Sequence, residues 1–220
     1  MLLESQICMS QKMSYNTMIL TTFVVFSIII ALSKIVSTRK LLHISVGPIF
    51  IMFCDKFGHL SFMERVMLAA IPMSSSVLFL LSTKLRLLEP FKKMICRNGQ
   101  TQLFGVVVYG LLFGMYPFCL QQWMRQALLC LAFGDGLAAY GQQLNCLIRK
   151  RQLSGGKTAS GSVLCYVGSM LGQLAFGCGL VESLIASTVC TLVERATKND
   201  NVWIVAAVSA SLALVQRLRQ

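Results

Sequence analysis

The sequence predicts an all-α fold, a multi-pass integral membrane helical bundle with about 7–8 transmembrane helices. Of the 220 residues, 55% are hydrophobic and only 13% are charged, whereas an ordinary soluble domain has about 25% charged residues. The mean hydropathy is +0.69, and the apolar residues occur in runs long enough to cross a bilayer as helices. These values exclude a disordered chain, a fibrous chain and most water-soluble enzymes.

Eight apolar runs are the predicted spans. The second contains Pro48 and the seventh is short, so we expect seven or eight spans in all. Around them, residues 1–17 form a polar N-terminal tail, residues 18–216 a single polytopic membrane domain, and residues 217–220 a C-terminal tail. The runs are 18–36, 41–57, 62–82, 103–120, 124–141, 161–179, 181–195 and 201–216.

Basic residues concentrate in alternate connections between these runs. Connections 34–40, 83–102 and 142–160 carry net charges of +3, +4 and +4, whereas the connections between them are nearly neutral. With eight spans, all three basic connections lie on one side, which is the positive-inside pattern. This pattern accounts for most of the net charge of +12. We therefore expect membrane lipids as partners and no nucleic acid.

Asp135 is the most informative polar residue. It lies between Gly134 and Gly136 in the apolar stretch 128–141, and no residue near it in the sequence can pair with it. A carboxylate at membrane depth is costly and indicates function. It favours a metal ion, a cation or a water-filled cavity. The alternative is a span that ends near Gly134, with Asp135 at the interface.

A basic, glycine-rich loop follows at 149–162. Backbone N–H groups in such loops bind phosphate oxygens, and Lys157 and Thr158 would add a positive charge and a hydroxyl. A helix expected to begin near Gly161 would direct its N-terminus at the same anion. The loop is not a Walker A loop, because Arg151 replaces the first glycine and no strand precedes it. A solvated positive-inside loop is the alternative.

Further charged and polar residues fall on the same predicted side. Together with an apolar bundle, they suggest a reaction between a phosphorylated molecule and a lipid. Residue chemistry alone does not separate a lipid kinase from a nucleotidyltransferase or a phosphate transporter. Glu182 is expected on the opposite side. The residues on the shared side are Arg39, Lys40, His43, Arg97, Glu194 and Asp200.

Two pairs of glycines have Gly-x-x-x-Gly spacing, Gly110 with Gly114 and Gly168 with Gly172. This spacing allows helices to approach closely. We expect the glycines to serve helix packing, and such faces could also join two copies as a homo-oligomer.

Five motifs occur in order over most of the chain. They are Arg39-Lys40-x-x-His43-x-x-x-Gly47; Arg97-x-Gly99 followed by Leu103-x-Gly105-x-x-x-Tyr109; Gly134-Asp135-Gly136-x-Ala138; Lys157-Thr158-x-x-Gly161-Ser162; and Glu194 followed by Asp200-Asn201. In these motifs the chain resembles the polyprenol kinase family, the CTP-dependent membrane kinases of phytol, farnesol, dolichol and diacylglycerol. It is most similar to the phytol and farnesol kinases. It departs from them at three places. Ala139 stands where phytol kinases usually have Asp, and a glycine of theirs is replaced near Asn145. The proline that follows the position of Gly105 in those kinases is absent.

The resemblance implies transfer of a phosphoryl group from CTP, with Mg²⁺, to a prenyl alcohol. The acceptor would be phytol, or farnesol, geranylgeraniol or dolichol, and the product its monophosphate. Plant-type members imply a chloroplast membrane and tocopherol biosynthesis within isoprenoid metabolism. The endoplasmic reticulum or the plasma membrane is expected otherwise.

The resemblance also implies roles for individual residues. Asp135 would bind the metal or activate the alcohol, with Lys157 as the second catalytic residue and Glu194 and Asp200 as further metal ligands. The residues expected to hold the nucleotide, and to line the polar mouth of its site, are Gly134, Gly136, Gly156, Thr158, Gly161, Ser162, Arg39, Lys40, His43 and Arg97.

Three other functions remain open at this point. A CDP-lipid synthase of the phosphatidate cytidylyltransferase type would also use CTP, Mg²⁺ and a lipid, but would release pyrophosphate where a kinase releases CDP. A CTP-dependent diacylglycerol kinase is the second. A membrane transporter or assembly protein, which would consume no nucleotide, is the third.

Overall fold

The residues that the computed structural model describes are helical apart from one short strand pair and a few connecting residues. The helices are α1 (Thr38–Lys56), α2 (Phe62–Ser82), α3 (Leu103–Cys119), α4 (Gln122–Leu129), α5 (Gly136–Leu147), α6 (Ala159–Ala175), α7 (Leu180–Ala196) and α8 (Asp200–Leu218). A π-helical segment, Cys130–Asp135, joins α4 to α5 without a break. Strands β1 (Cys96–Arg97) and β2 (Gln100–Thr101) pair antiparallel. The described residues are 38–56, 61–82, 96–97, 100–101, 103–119, 122–147, 157–197 and 200–219.

The all-helical prediction is confirmed for these residues. Seven of the eight predicted runs coincide with helical segments, because α4, the π-helical segment and α5 form one continuous helix. The remaining run, 18–36, lies outside the described residues. The two-residue strands around Arg97 are an addition that the sequence analysis did not anticipate.

Two boundaries differ from the prediction for a local reason. The fifth run was expected to end at Gly141, but α5 continues to Leu147. Gly141 does not end the helix but lies inside it, where it lets α5 pack closely on the start of α6. A Cβ atom at this position would lie 2.6 Å from the carbonyl oxygen of Ser160. Helix α6 begins at Ala159, earlier than expected, because Thr158 caps it.

The helices run alternately up and down, so that the molecule has two ends. At one end, Asn201 Nδ2 donates to the carbonyl oxygen of Gly105 (3.1 Å) and joins the starts of α8 and α3. At the other, Arg125 Nη2 donates to the carbonyl oxygen of Phe176 (2.6 Å) and joins the start of α4 to the end of α6. We call these the His43 end and the Asp55 end, after a residue of α1 at each.

The π-helical segment is the centre of the core. It packs against α1 and against α4 to α8, and Cys130, Leu131 and Ala132 are fully buried. Gly134 lies so close to α6 and α7 that a Cβ atom would be 3.0 Å from Cys190 Sγ. Small residues in this segment therefore let several helices meet around it.

The Gly-x-x-x-Gly pairs lie in helix contacts inside the chain. A Cβ atom at Gly110 would lie 2.6 Å from the Pro72 carbonyl oxygen of α2, and one at Gly168 would lie 3.1 Å from that of Phe133. A homo-oligomer formed through these faces would have to displace these contacts, and oligomerisation itself stays a prediction.

Large apolar side chains are exposed at the surface, and several small polar side chains are buried. Phe62 and Met67 of α2 are 71% and 70% exposed. Ser169, Gln173 and Ser187 are fully buried, and Gln173 Nε2 donates to Ser187 Oγ (3.3 Å). Large apolar side chains are thus exposed on α2, while small polar groups pair inside a core that also contains large apolar side chains such as Phe113, Leu128 and Ile204.

One described helix, α8, is long and apolar enough to cross a membrane over Asn201–Leu218. Two shorter apolar stretches, His43–Asp55 and Val107–Cys119, lie in α1 and α3.

The α2–α3 contact yields a stability prediction. Replacing Gly110 with Ala forces α2 and α3 apart, because the added methyl group meets the backbone of Pro72. We expect Gly110→Ala to destabilise the protein by about 1–3 kcal/mol, as overpacking does. Thermal unfolding of the purified protein measures this. Met115→Leu, at an exposed position of the same helix, should leave the midpoint unchanged, and equal midpoints for both variants would refute the contact.

Candidate functional site

Asp135 is held against His43 at the His43 end. Asp135 Oδ2 lies 3.5 Å from His43 Nδ1, and the two residues are 8% and 4% exposed. His43 lies near the start of α1, whereas Asp135 ends the π-helical segment. Asp135 has no partner near it in the sequence. Its partner in the folded chain, His43, lies more than 90 residues earlier on another helix.

Glycines allow this close approach. Gly136 faces Ile44, whose side chain fills the space a Cβ atom would need. Gly47 faces the hydroxyl of Tyr109 in the same way. A side chain at Gly136 would force Ile44 to shift, and one at Gly47 would displace the ring of Tyr109, which packs against His43.

Tyr109 fixes His43 from the side of α3. Its hydroxyl donates to the backbone carbonyl oxygen of His43 (3.2 Å), and the centroids of the two rings are 4.0 Å apart. The ring of Tyr109 also stacks on that of Phe113 at 4.4 Å. Three of the sequence motifs, those containing His43, Tyr109 and Asp135, thus meet at one point.

Lys157 and Glu194 form a second pair at this end. Lys157 Nζ lies 3.2 Å from Glu194 Oε1 and donates to the backbone carbonyl oxygen of Thr197 (2.9 Å). Glu194 is 3% exposed, and its other oxygen, Oε2, has no hydrogen-bond partner among the described residues. Lys157 also neutralises the C-terminal end of α7, where a cation is favourable.

The start of α6 satisfies its own polar groups. Thr158 Oγ1 accepts from the backbone N–H of Gly161 (3.0 Å), which is an N-cap hydrogen bond. Ser160 Oγ donates to the carbonyl oxygen of Gly141 (2.8 Å), and Ser162 Oγ to that of Thr158 (3.4 Å). A ligand that bound the Gly161 N–H, as the resemblance implies, would have to replace Thr158.

The structure brings most of the predicted site residues to the same end of the bundle. His43 lies against Asp135 there, Lys157 and Glu194 form an ion pair, and Asn201 lies at the same end on α8. As predicted, Glu182 lies at the opposite end, where it pairs with Arg219.

Other predicted residues lie partly or wholly outside the described structure. Gly156 is outside the described residues, and only the backbone is described for Arg39, Lys40, Arg97 and Asp200. Within the described ranges, no three His, Cys, Asp or Glu side chains form a group that could hold a metal ion. The expected metal ligation by Asp135, Glu194 and Asp200 stays a prediction.

The sequence analysis missed a bonded group at the Asp55 end. The Tyr116 hydroxyl donates to Asp55 Oδ1 (2.5 Å), and Arg125 Nε lies 2.9 Å from Asp55 Oδ2. Arg125 also bonds the carbonyl oxygen of Phe176, so the group joins α1, α3, α4 and the end of α6. Opposite charges at the ends of two apolar runs could have suggested the Asp55–Arg125 pair, but nothing in the pattern indicated Tyr116.

Comparison with known proteins adds no assignment: no family model, curated protein or solved structure matches the chain.

The Lys157–Glu194 pair yields a testable coupling. Lys157→Met leaves the buried Glu194 carboxylate without its cation, so we expect a loss of about 3–5 kcal/mol of stability. Glu194→Gln in the same chain should recover most of it. A double-mutant cycle of unfolding free energies should give a coupling of about 1–3 kcal/mol. Arg195→Met, at an exposed neighbour, is the matched control, and strictly additive effects of the two changes would contradict the pair.

Proposed function

We propose that the chain is a multi-pass integral membrane protein that phosphorylates a prenyl alcohol from CTP. The observation that carries the proposal is the meeting of the motifs. Residues between positions 43 and 201 pair at the His43 end in four contacts, which are His43–Asp135, Tyr109–His43, Lys157–Glu194 and Asn201–Gly105. Motif matches that arose by chance would not be expected to lie at the same end of the folded chain.

The packing pattern supports the membrane location. In lipid, large apolar side chains face outward without cost, and helices associate through small and hydrogen-bonding residues. Exposed Phe62 and Met67, with buried Ser169, Gln173 and Ser187, fit that rule. The shortest of the continuous helical segments has 17 residues, or about 26 Å of helix, close to the thickness of a bilayer core.

The charge distribution supports one orientation. The helix ends that flank the basic connections 34–40, 83–102 and 142–160 all belong to the His43 end. Positive residues favour the cytoplasmic side or its equivalent in an organelle. CTP is charged and water-soluble, and would meet a lipid alcohol at this boundary.

The described residues are compatible with Mg²⁺ bound together with a nucleotide. Magnesium is usually held by one or two protein carboxylates and by the phosphates of the substrate. Asp135 supplies one carboxylate, and the unpartnered Oε2 of Glu194 offers a second at the same end. Bound Mg²⁺ would neutralise charge on the triphosphate.

The reaction itself needs positioning more than covalent chemistry. The alcohol oxygen forms a bond to the γ-phosphorus, the bond from that phosphorus to the β–γ bridging oxygen breaks, and CDP leaves. Lys157 would exchange Glu194 for a phosphate oxygen, because both offer an anionic oxygen that accepts from its ammonium group. Asp135 serves as a metal ligand or accepts the hydroxyl proton, while His43 and Tyr109 hold its position. The apolar interhelical surface would accommodate the isoprenoid tail.

Activity is tested with the full chain in detergent, Mg²⁺ and CTP labelled at the γ-phosphate. Phytol, farnesol, geranylgeraniol, dolichol and diacylglycerol are offered separately, and we expect a labelled prenyl monophosphate and free CDP. Asp135→Asn should lower kcat by about 10²-fold or more, and Lys157→Ala should raise KM for CTP. Glu64→Gln, an exposed carboxylate at the Asp55 end that bonds Ser61, is the control.

The same assay separates the alternatives. Phosphatidate is offered as a further acceptor, and release of pyrophosphate in place of CDP would favour a CDP-lipid synthase. No labelled lipid from any acceptor, with an active phytol kinase working alongside, would refute the kinase, as would full turnover by Asp135→Asn.

The membrane location has its own test. After cell fractionation and extraction at alkaline pH, we expect the chain in the membrane pellet, because each apolar span would hold it in lipid. Detergent should then release it. Recovery in the alkaline supernatant would contradict the location, whatever the activity.

A further inference from the structure

The exposed apolar surface of α7 is short along the helix. Its exposed apolar side chains extend from Leu180 to Leu192, and the next exposed side chain toward the His43 end is that of Arg195. Because a helix rises about 1.5 Å per residue, this stripe is about 18 Å long. A charge then follows within one turn.

Helices α8 and α2 have similar stripes. On α8 the exposed apolar side chains extend over 202–214, again about 18 Å, and the exposed Gln216 and Arg217 follow, with Leu218 beyond them in the last turn. On α2 the stripe covers 66–81, about 22 Å, and the exposed Glu64 precedes it. We call these three stripes the apolar belt. Tilting of the helices can only reduce its height.

The charged side chains that join the helices occur at two levels with a matching separation. His43 and Asp55 of α1, and Glu182 and Glu194 of α7, are each twelve positions apart in the sequence, with no charged residue between them. Each of the four lies against an ionisable side chain of another helix. Twelve positions correspond to about 18 Å, so the uncharged interior is about as high as the belt.

Hydroxyl groups within the belt indicate that hydrocarbon covers it. Ser74 and Ser75 of α2 and Thr188 of α7 are exposed, and each donates to a backbone carbonyl oxygen of its own helix, at 3.0, 2.7 and 2.8 Å. Water would make such internal bonds unnecessary, whereas hydrocarbon requires them. The belt therefore has the chemistry of a surface that contacts acyl chains.

We infer that the belt fits a thin bilayer of short-chain phospholipids, with a hydrocarbon core of about 20–25 Å. A typical core is about 30 Å thick, and that of a plasma membrane about 32–33 Å. A core of the second kind would place Arg195 or Arg217 inside hydrocarbon, which is costly. The inference rests on the proposed membrane location but not on the kinase activity, and it disfavours the plasma membrane among the expected locations.

Reconstitution of the full chain into vesicles of different thickness tests the inference. The lipids share one headgroup and one double bond per chain, and in order of increasing length they are dimyristoleoyl, dipalmitoleoyl, dioleoyl, dieicosenoyl and dierucoyl phosphatidylcholine. Thermal unfolding is followed with a thiol-reactive dye, because Cys130, Cys165 and Cys190 are fully buried in the fold. We expect the highest midpoint in one of the two shortest lipids, and a midpoint about 5–10 °C lower in the longest.

A pair of variants at one exposed position separates belt height from charge. Arg195→Leu lengthens the stripe of α7 by about one turn, so the midpoint difference between the shortest and longest lipids should narrow by about 2–4 °C. Arg195→Gln removes the same charge but leaves the position polar, and should keep the difference. Both side chains point away from the core, so both variants should fold.

Each outcome decides the assignment. A highest midpoint in dioleoyl phosphatidylcholine or a longer lipid, one midpoint in all lipids, or an undiminished difference in Arg195→Leu would overturn it. Release of the chain from the vesicles at alkaline pH would instead refute the membrane location. A chain that is most stable in the thin vesicles but transfers no phosphate refutes the kinase alone.

Discussion

Close packing around Gly134 is the constraint on which the rest of the structure depends. Without a side chain at this residue, the π-helical segment lies directly against Cys165 and Cys190 of α6 and α7. A π-helical turn is wider than an α-helical one and often occurs where a helix must redirect a functional side chain. Here it ends at Asp135 and directs that residue toward α1. The glycine thus fixes the position of the segment, and the segment fixes the carboxylate.

The two side-chain pairs at the His43 end differ in what they connect. His43–Asp135 joins α1 to the central helix, and the ring of Tyr109, which itself stacks on Phe113, packs against His43. Lys157–Glu194 joins the start of α6 to the end of α7, and the lysine is more exposed, at 17% of its side chain. A buried pair gains its stability only where both partners remain. The more exposed pair is the one that a soluble anion can enter with less rearrangement, which agrees with a phosphate-binding role for Lys157.

Much of the architecture could be predicted from the sequence, because hydrophobic runs and charge alternation report directly on helices and their ends. The grouping of Asp135, Lys157 and Glu194 at one end followed from counting the connections between runs. The partner of Asp135 could not be predicted in this way. His43 meets Asp135 because helices pack closely at Gly47 and Gly136, and no local sequence pattern encodes that packing. The π-helical segment was equally hidden, because its sequence differs little from an apolar α-helix. Thr158 was expected to face a ligand, but its nearest donor is the N–H of its own helix.

Helix α7 is bonded near both of its ends, by Glu182 to Arg219 and by Glu194 to Lys157. The two carboxylates are twelve positions apart in the sequence, and each residue of a helix advances the direction of its side chain by about 100°. Inserting or deleting one residue between them would turn one carboxylate away from its partner, whatever residue was chosen. The spacing between the two carboxylates is therefore fixed more strictly than the residues that fill it.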